Sequence, residues 1–320
     1  MTEVNESKVN KKNFKKRLHK GTKQWLEVIP FIGIGIILFS VFVLFPQIKN
    51  LYMAVTDYSI MPGHVNNFMG LANFKRALFG FSEIGSDSYY FWMAFRNNIL
   101  AILITVPGQL ILGLLVAVLI NGVKYGKNIY KVLFYLAVIC DWVVVSNIFS
   151  YIFQSDKAGL VNYLLISAHL ISEPIAWLQN TWTANAVIWI FCIWKGVGWV
   201  MLIYTAALQG ISKDLYEAAQ IDGANVFQQF FGITLPSLKN TTFFLIINLT
   251  IGAMGIFLQV FLLTQGGPLG TTDVLQNYSY TRAFKYFEFG YGAAVSILTG
   301  LFIFSASMTC KKYMRYGQEN

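Results

Sequence analysis

Asn98-Ile-Leu-Ala-Ile-Leu-Ile-Thr-Val-Pro-Gly-Gln-Leu-Ile-Leu-Gly-Leu-Leu-Val-Ala-Val-Leu-Ile120 runs for 23 residues without a charged side chain. A bilayer hydrocarbon core about 30 Å thick is crossed by about 20 apolar residues in a helix. The run also lacks the polar positions at helical or strand period that mark a soluble amphipathic element. Five more segments read the same way: Val28 to Ile48, Ile129 to Phe153, Ala184 to Leu208, Thr242 to Leu263 and Tyr291 to Cys310. The last begins on small residues, Gly290, Gly292, Ala293 and Ala294, which suit close helix contact within a bundle. Six spanning helices and an all-α integral membrane fold are therefore expected.

Composition agrees. Of the 320 residues 56% are hydrophobic and 12% charged, against about 25% charged in soluble domains. The formal charge of +9 could point to nucleic acid, so the placement of the cations decides its meaning. Eight of the 24 Lys and Arg fall between Lys8 and Lys23, directly before the first apolar run. That is the pattern of a cytoplasmic flank beside anionic headgroups, not of a nucleic-acid arm. The run Val28 to Phe45 is too long for a cleaved signal, and it continues into Pro46 and Gln47 without a small-residue cleavage site. With the N-terminus inside, alternate connections place sixteen Lys and Arg in the cytoplasm and seven outside. The positive-inside rule then predicts a multi-pass protein of the cell membrane with both termini cytoplasmic. Residues 1–27 form a basic cytoplasmic segment, 28–310 the spanning domain and 311–320 a cytoplasmic tail.

Cys140, Cys192 and Cys310 are odd in number and widely spaced, so neither a disulfide framework nor a metal site follows, and they read as small core hydrophobes. No cofactor is expected. There is no G-x-x-x-x-G-K-[ST] in the chain, so any ATP-driven work must draw on a separate subunit.

The cytoplasmic connection 208–236 reads as helix, turn, helix. Ser212 is a competent N-cap with Asp214 in the first turn, and Tyr216, Glu217, Ala218 and Ala219 follow as helix. Asp222 and Gly223 stop that helix, Gly accepting the left-handed C-cap conformation. Asn225 with Gln228 has the form of a capping box, Phe227, Phe230 and Phe231 give the second helix an apolar face, and Pro236 separates the unit from the fifth span. Two short surface helices with exposed small and aromatic residues fit a groove on a cytoplasmic partner. An ordinary interhelical loop with its aromatics in the headgroup region is the other reading.

Glu217-Ala218-Ala219, then Gly223 at the spacing E-A-A-x-x-x-G, then Ile233-x-Leu235-Pro236, resembles the E-A-A loop of ABC importer permeases. The longer form Leu215 to Ala224 resembles the carbohydrate branch, that of the maltose and multiple-sugar permeases. Gly70-Leu-Ala-Asn-Phe74, Gly159 to Leu164 with Trp177-Leu178, Gly266-Gly-Pro268, Thr271-Thr272, Tyr280, Ala283-Phe284 and Gly290-Tyr291 carry the likeness across Val28 to Cys310. The chain departs from the pattern at Ser212, where that family usually has Pro. The resemblance implies a type I ABC importer permease fold that pairs with a cytoplasmic ATPase dimer, a second permease of different sequence and an extracytoplasmic binding protein, for a sugar substrate. It also implies that Glu217 meets a basic or hydrogen-bonding group on the ATPase, that Ala218 and Ala219 permit close approach, and that Gly223 supplies the turn. Tyr216, Asp222, Leu235 and Pro236 complete the coupling set.

Charged residues inside spans are costly. Asp141 beside Trp142 in the third span and Lys195 beside Trp194 in the fourth are the two clear cases. A carboxylate with an indole suits a sugar, which offers hydroxyls to bond and an apolar face to stack. Structural pairing, or a place near an interface, explains them as well. Gln109, Asn147, Asn248 and Gln259 offer amides suited either to sugar hydroxyls or to interhelical bonding. A self-contained secondary transporter or channel would account for six spans without needing the 208–236 unit. A membrane enzyme would need chemistry that His19, His64 and His169, all outside the spans, do not supply.

Overall fold

The computed structural model describes residues 32–80 and 83–319, with side chains to residue 312, so the eight N-terminal cations lie outside the described residues. The chain forms two compact units, Met1–Met53 and Ala54–Asn320. The described part of the first lies within α1, Ile32–Ala54, a candidate membrane span with a π-helical turn at Ser40–Leu44 and its last residue at the unit boundary.

The second unit is helical throughout its ordered elements. In chain order these are α2 (Ala72–Leu78), α3 (Asp87–Gly122), α4 (Lys127–Ile139), α5 (Trp142–Ile152), α6 (Leu160–Ser167), α7 (Thr181–Gln209) and α8 (Lys213–Ile221). They continue as α9 (Val226–Ser237), α10 (Lys239–Met254), α11 (Leu258–Leu263), α12 (Leu275–Tyr280) and α13 (Phe289–Glu319). Helices α1, α3, α7 and α13 are long and apolar enough to cross a bilayer. Two pairs reach that length only with a bend, α4 with α5 at 94° and α9 with α10 at 63°.

Two expected spans are thereby corrected. Ile129 to Phe153 is broken at Cys140 and Asp141, and Thr242 to Leu263 ends at Met254, with α11 following the break. Neither break carries a proline, so apolar content alone did not disclose them. Helix α3 is also longer than the run that suggested it. Ser86 caps it by accepting from the Tyr89 N–H at 3.1 Å, and 36 residues at 1.5 Å each span about 54 Å, well beyond the hydrocarbon thickness.

Helices α3, α4, α7 and α10 pack as the central bundle. Gly198 on α7 lies against α4 so closely that a Cβ there would strike the Phe134 carbonyl, which is how small residues let spanning helices approach. Apolar side chains gather in three clusters: Phe149, Phe153, Phe191 and Val260 in one, Phe91, Leu275, Tyr291 and Val295 in a second, and Ile120, Tyr204, Leu208, Leu238 and Leu245 in a third.

Asn98 stitches the second break into this frame. It is wholly buried; its amide donates to the carbonyls of Ala253 at 3.2 Å and Met254 at 3.1 Å, and its Oδ1 accepts from the Leu275 N–H at 3.0 Å. Asn98→Ala would leave two helix-end carbonyls and one buried N–H unpaired, and is expected to lower unfolding stability by about 2 kcal/mol. Thermal unfolding in detergent measures it, and a change within about 0.5 kcal/mol would show that the amide does not hold the break.

Candidate coupling unit and translocation cavity

Between α7 and α10 the chain forms the helix-turn-helix read from sequence. Ser212 caps α8 by accepting from the Asp214 N–H, so the helix starts cleanly on a serine. At its far end Gly223 has φ +79°. Its N–H donates to Gln220 O at 3.1 Å, and the Ala224 N–H donates to Ala219 O at 2.8 Å. These two bonds are the Schellman termination, for which a left-handed residue is required. Asn225 and Gln228 form a complete capping box at the start of α9. The hydroxyls of Tyr216 and Thr234 meet at 2.9 Å and tie the two helices together.

What the unit presents is apolar and uncovered. Ile221 is 87% exposed and Phe227 76%, with Val226, Phe231 and Leu215 also exposed. Glu217, Ala218 and Asp222 are exposed beside them, and a Cβ on Gly223 would meet nothing within 4 Å. The stem is the opposite. Leu208 and Leu238, at the two roots of the unit, are buried with Ile120 of α3, Tyr204 of α7 and Leu245 of α10. The Tyr204 hydroxyl donates to Thr242 Oγ1 at 3.0 Å. The stem thus joins the exposed unit to three helices through packed side chains, and α10 leaves it across the 63° bend at Leu238. Leu235 and Pro236 sit in the last turn of α9 just before that bend. The π-helical turn at Phe230–Thr234 that precedes them was not foreseen, because nothing in the sequence distinguishes it from an ordinary helical turn.

A cavity of about 400 Å³ opens among α3, α4, α5, α7, α10 and α11. Gln109, Trp142, Lys195, Asn248 and Gln259 all line it, so five candidates from four different apolar segments converge. Trp199 joins them. It lies four residues after Lys195 on the same face of α7, a spacing that could have identified it. Asn147 is exposed on α5 and does not reach the cavity. Asp141 is corrected more fully: it is not in a helix interior but is the exposed N-cap of α5, accepting from the Val143 N–H at 2.8 Å. Cys192 is buried as expected of a core hydrophobe, while Cys140 is exposed at the break; the three cysteines are free.

At the other end of α3 an ion cluster gathers four charged residues from two distant stretches of sequence. Arg76 pairs with Asp87 at 2.5 Å and Glu288 at 2.9 Å; Arg282 pairs with Asp87 and, at 3.2 Å, with Glu288. The cluster ties α2, α3, the turn after α12 and the start of α13 together.

Comparison with known proteins places this architecture. Residues 109–309 match the family described as the binding-protein-dependent transport system inner membrane component. The lactose transport system permease protein LacF of Rhizobium radiobacter is 32% identical over 283 residues, 87% of this chain and 89% of that one. The arabinooligosaccharides transport system permease protein AraP of Bacillus subtilis is 32% identical over 298 residues, 92% of this chain and 88% of that one. Among solved structures, a bacterial alginate ABC transporter in complex with an alginate pentasaccharide-bound periplasmic protein contains a chain with the same fold. Its TM-score is 0.78 at 23% identity, covering 94% of this chain and 98% of that one.

Proposed function

The chain belongs to the family of binding-protein-dependent transport inner membrane components, and we propose that it moves a sugar or oligosaccharide across the cell membrane as one permease of an ABC importer. It is a multi-pass membrane subunit of a transport system, and its family is not the one that hydrolyses ATP. The finer assignments are our reading: an ATPase dimer docked on the coupling unit, a second permease of different sequence, sugar delivered by an extracytoplasmic binding protein, and both termini in the cytoplasm.

The observation that carries this reading is the exposed apolar and acidic surface of 208–236 set on a buried stem. ATP-driven closure of a partner's cleft around Glu217, Ala218, Ala219, Asp222 and Gly223 would displace Leu208 and Leu238, and with them the helices that wall the cavity. Alternation of access then follows as a population shift between two packings of one bundle. In the cavity Gln109, Asn248 and Gln259 offer amides to hydroxyls, and Trp142 and Trp199 offer flat apolar faces to a pyranose or furanose ring. The names of LacF and AraP favour a neutral saccharide, and lactose and arabino-oligosaccharides are the first probes to try. A self-contained carrier or channel would have no use for the uncovered unit.

Co-purification from native membranes in mild detergent tests the reading. Wild type is expected to bring down an ATPase and a second permease. Glu217→Ala is expected to weaken ATPase recovery at least fivefold while leaving the second permease in place. A lone, stable protein in both preparations would favour the self-contained carrier.

A further inference from the structure

The third apolar run is 25 residues long from Ile129 to Phe153. Its break at Ile139-Cys140-Asp141-Trp142 contains neither Pro nor Gly, the residues that usually end or kink a helix. In a bilayer a continuous helix satisfies its own backbone, and each unsatisfied group costs several kcal/mol. Something outside the run must therefore make a 94° bend tolerable.

That group is on α7. The Lys195 side chain is buried, 5% exposed, and its ammonium donates to the carbonyls of Ala137 at 3.0 Å, Val138 at 3.4 Å and Cys140 at 2.5 Å. These are carbonyls that a helix continuing through residue 141 would bond internally. An ammonium has three donors and no acceptor, and three carbonyls receive them. The positive charge also stands at the negative end of the α4 dipole, and it lies 4.4 Å from the centroid of the Trp142 ring. On the other side of the break Asp141 caps α5.

We propose that Lys195 is the positioning residue that holds this span broken, and that the break is what sets Trp142 in the cavity wall. Lys195 then acts through the end of α4 rather than by binding substrate. Withdrawal of its ammonium would let α4 and α5 rejoin as one helix and carry Trp142 off the wall, which makes the break a movable part of the pathway. That last, functional step rests on the transport reading; the conformational claim does not.

The distance between Tyr130 on α4 and Tyr151 on α5 reports the break directly. Two arms of about 15 Å meeting at this bend put the backbones about 21 Å apart, whereas a straight helix of the same residues puts them about 32 Å apart. Nitroxide labels on Tyr130→Cys and Tyr151→Cys would be placed in the full-length chain, with the native cysteines replaced by alanine, in lipid nanodiscs and read by pulsed electron–electron resonance. Wild type and Lys195→Arg, which retains charge and donors, are expected at the short distance. Lys195→Met is expected to move at least half the population about 10 Å longer. If Lys195→Met is not recovered from membranes, Lys195→Gln, with two donors for three carbonyls, is expected to populate both distances. An unchanged short distance in the variant recovered overturns the proposal. A lysine that served stability alone would lower the thermal midpoint and leave the distance where it is.

Discussion

Gly223→Asp is expected to reduce uptake of the transported sugar at least 100-fold, with the protein still inserted and as abundant as wild type. The reasoning begins with what the substitution does not do. A Cβ at Gly223 meets no atom within 4 Å, so no side chain of the fold is displaced. The left-handed φ of +79° costs a non-glycine residue roughly 1–2 kcal/mol, and Asp is among the residues that visit that region most readily. Gly223 is exposed and belongs to none of the three apolar clusters, so the strain falls on the turn itself. What the substitution does is place a third carboxylate beside Asp222 and Glu217, on the surface where a partner's basic or hydrogen-bonding group would be met. Loss of transport without loss of insertion thus reports docking rather than folding. Uptake of lactose or arabino-oligosaccharide, whichever the wild type carries, is the measurement, with membrane abundance measured alongside it. Gly223→Ala separates the parts: it keeps the strain without the charge and is expected to retain most of its uptake. Normal uptake by Gly223→Asp would remove the coupling role from this turn.

The coupling unit was readable residue by residue because its determinants are local. Ser212, Asp222-Gly223 and the Asn225–Gln228 pair each act within a few residues of themselves, and the structure sets each where its capping chemistry requires. The breaks in the third and fifth apolar runs were not readable, because their determinants lie 55 residues or more away in sequence. Lys195 satisfies the end of α4, and Asn98 satisfies the end of α10. Hydropathy measures whether a segment prefers lipid, and both halves of a broken span do. The same limit explains Asp141. In a list of charges within apolar runs it resembles a pathway carboxylate, whereas at a helix start its role is the ordinary one of accepting a backbone N–H. The cavity candidates fared differently. Amides and indoles in separate spans gave no sign of meeting, yet five of the polar and aromatic positions line one space, because polar side chains in a bilayer turn from lipid toward the bundle interior.

Asp273→Asn is expected to stabilise the protein above pH 7 and to flatten a pH dependence that runs opposite to the common carboxylate case. Asp273 precedes α12 and is buried; its Oδ1 accepts from the Val274 N–H at 2.9 Å and from the Asn277 amide at 2.7 Å. Among the described residues it forms no ion pair, and the amide oxygens of Asn97 and Asn277 nearby are buried without donors. Burial raises its pKa from 3.8 to about 7, against the two hydrogen bonds that favour the anion. Because the folded pKa lies above the unfolded one, the folded state keeps a proton that the unfolded state has released between those values. Stability is therefore full below pH 3.8, falls by about 1.4 kcal/mol per pH unit as pH rises toward 7, and is level above it. The total loss is on the order of 4 kcal/mol. Asparagine keeps the acceptor, carries no charge and adds a donor where two amide oxygens have none, so the variant should exceed the wild type most at pH 8, by a smaller margin at pH 5, and approach it only below pH 3.8. Unfolding midpoints in detergent at pH 5, 6, 7 and 8 decide the matter. A wild type that gains stability from pH 5 to 8 would show the carboxylate held ionised in the fold. The Asn97 amide that grips this loop, through the carbonyls of Thr271 and Asp273 at 2.8 Å each, belongs to α3, so the loop that holds Asp273 is anchored at the end of α3 that carries the ion cluster, while the coupling stem packs at the other.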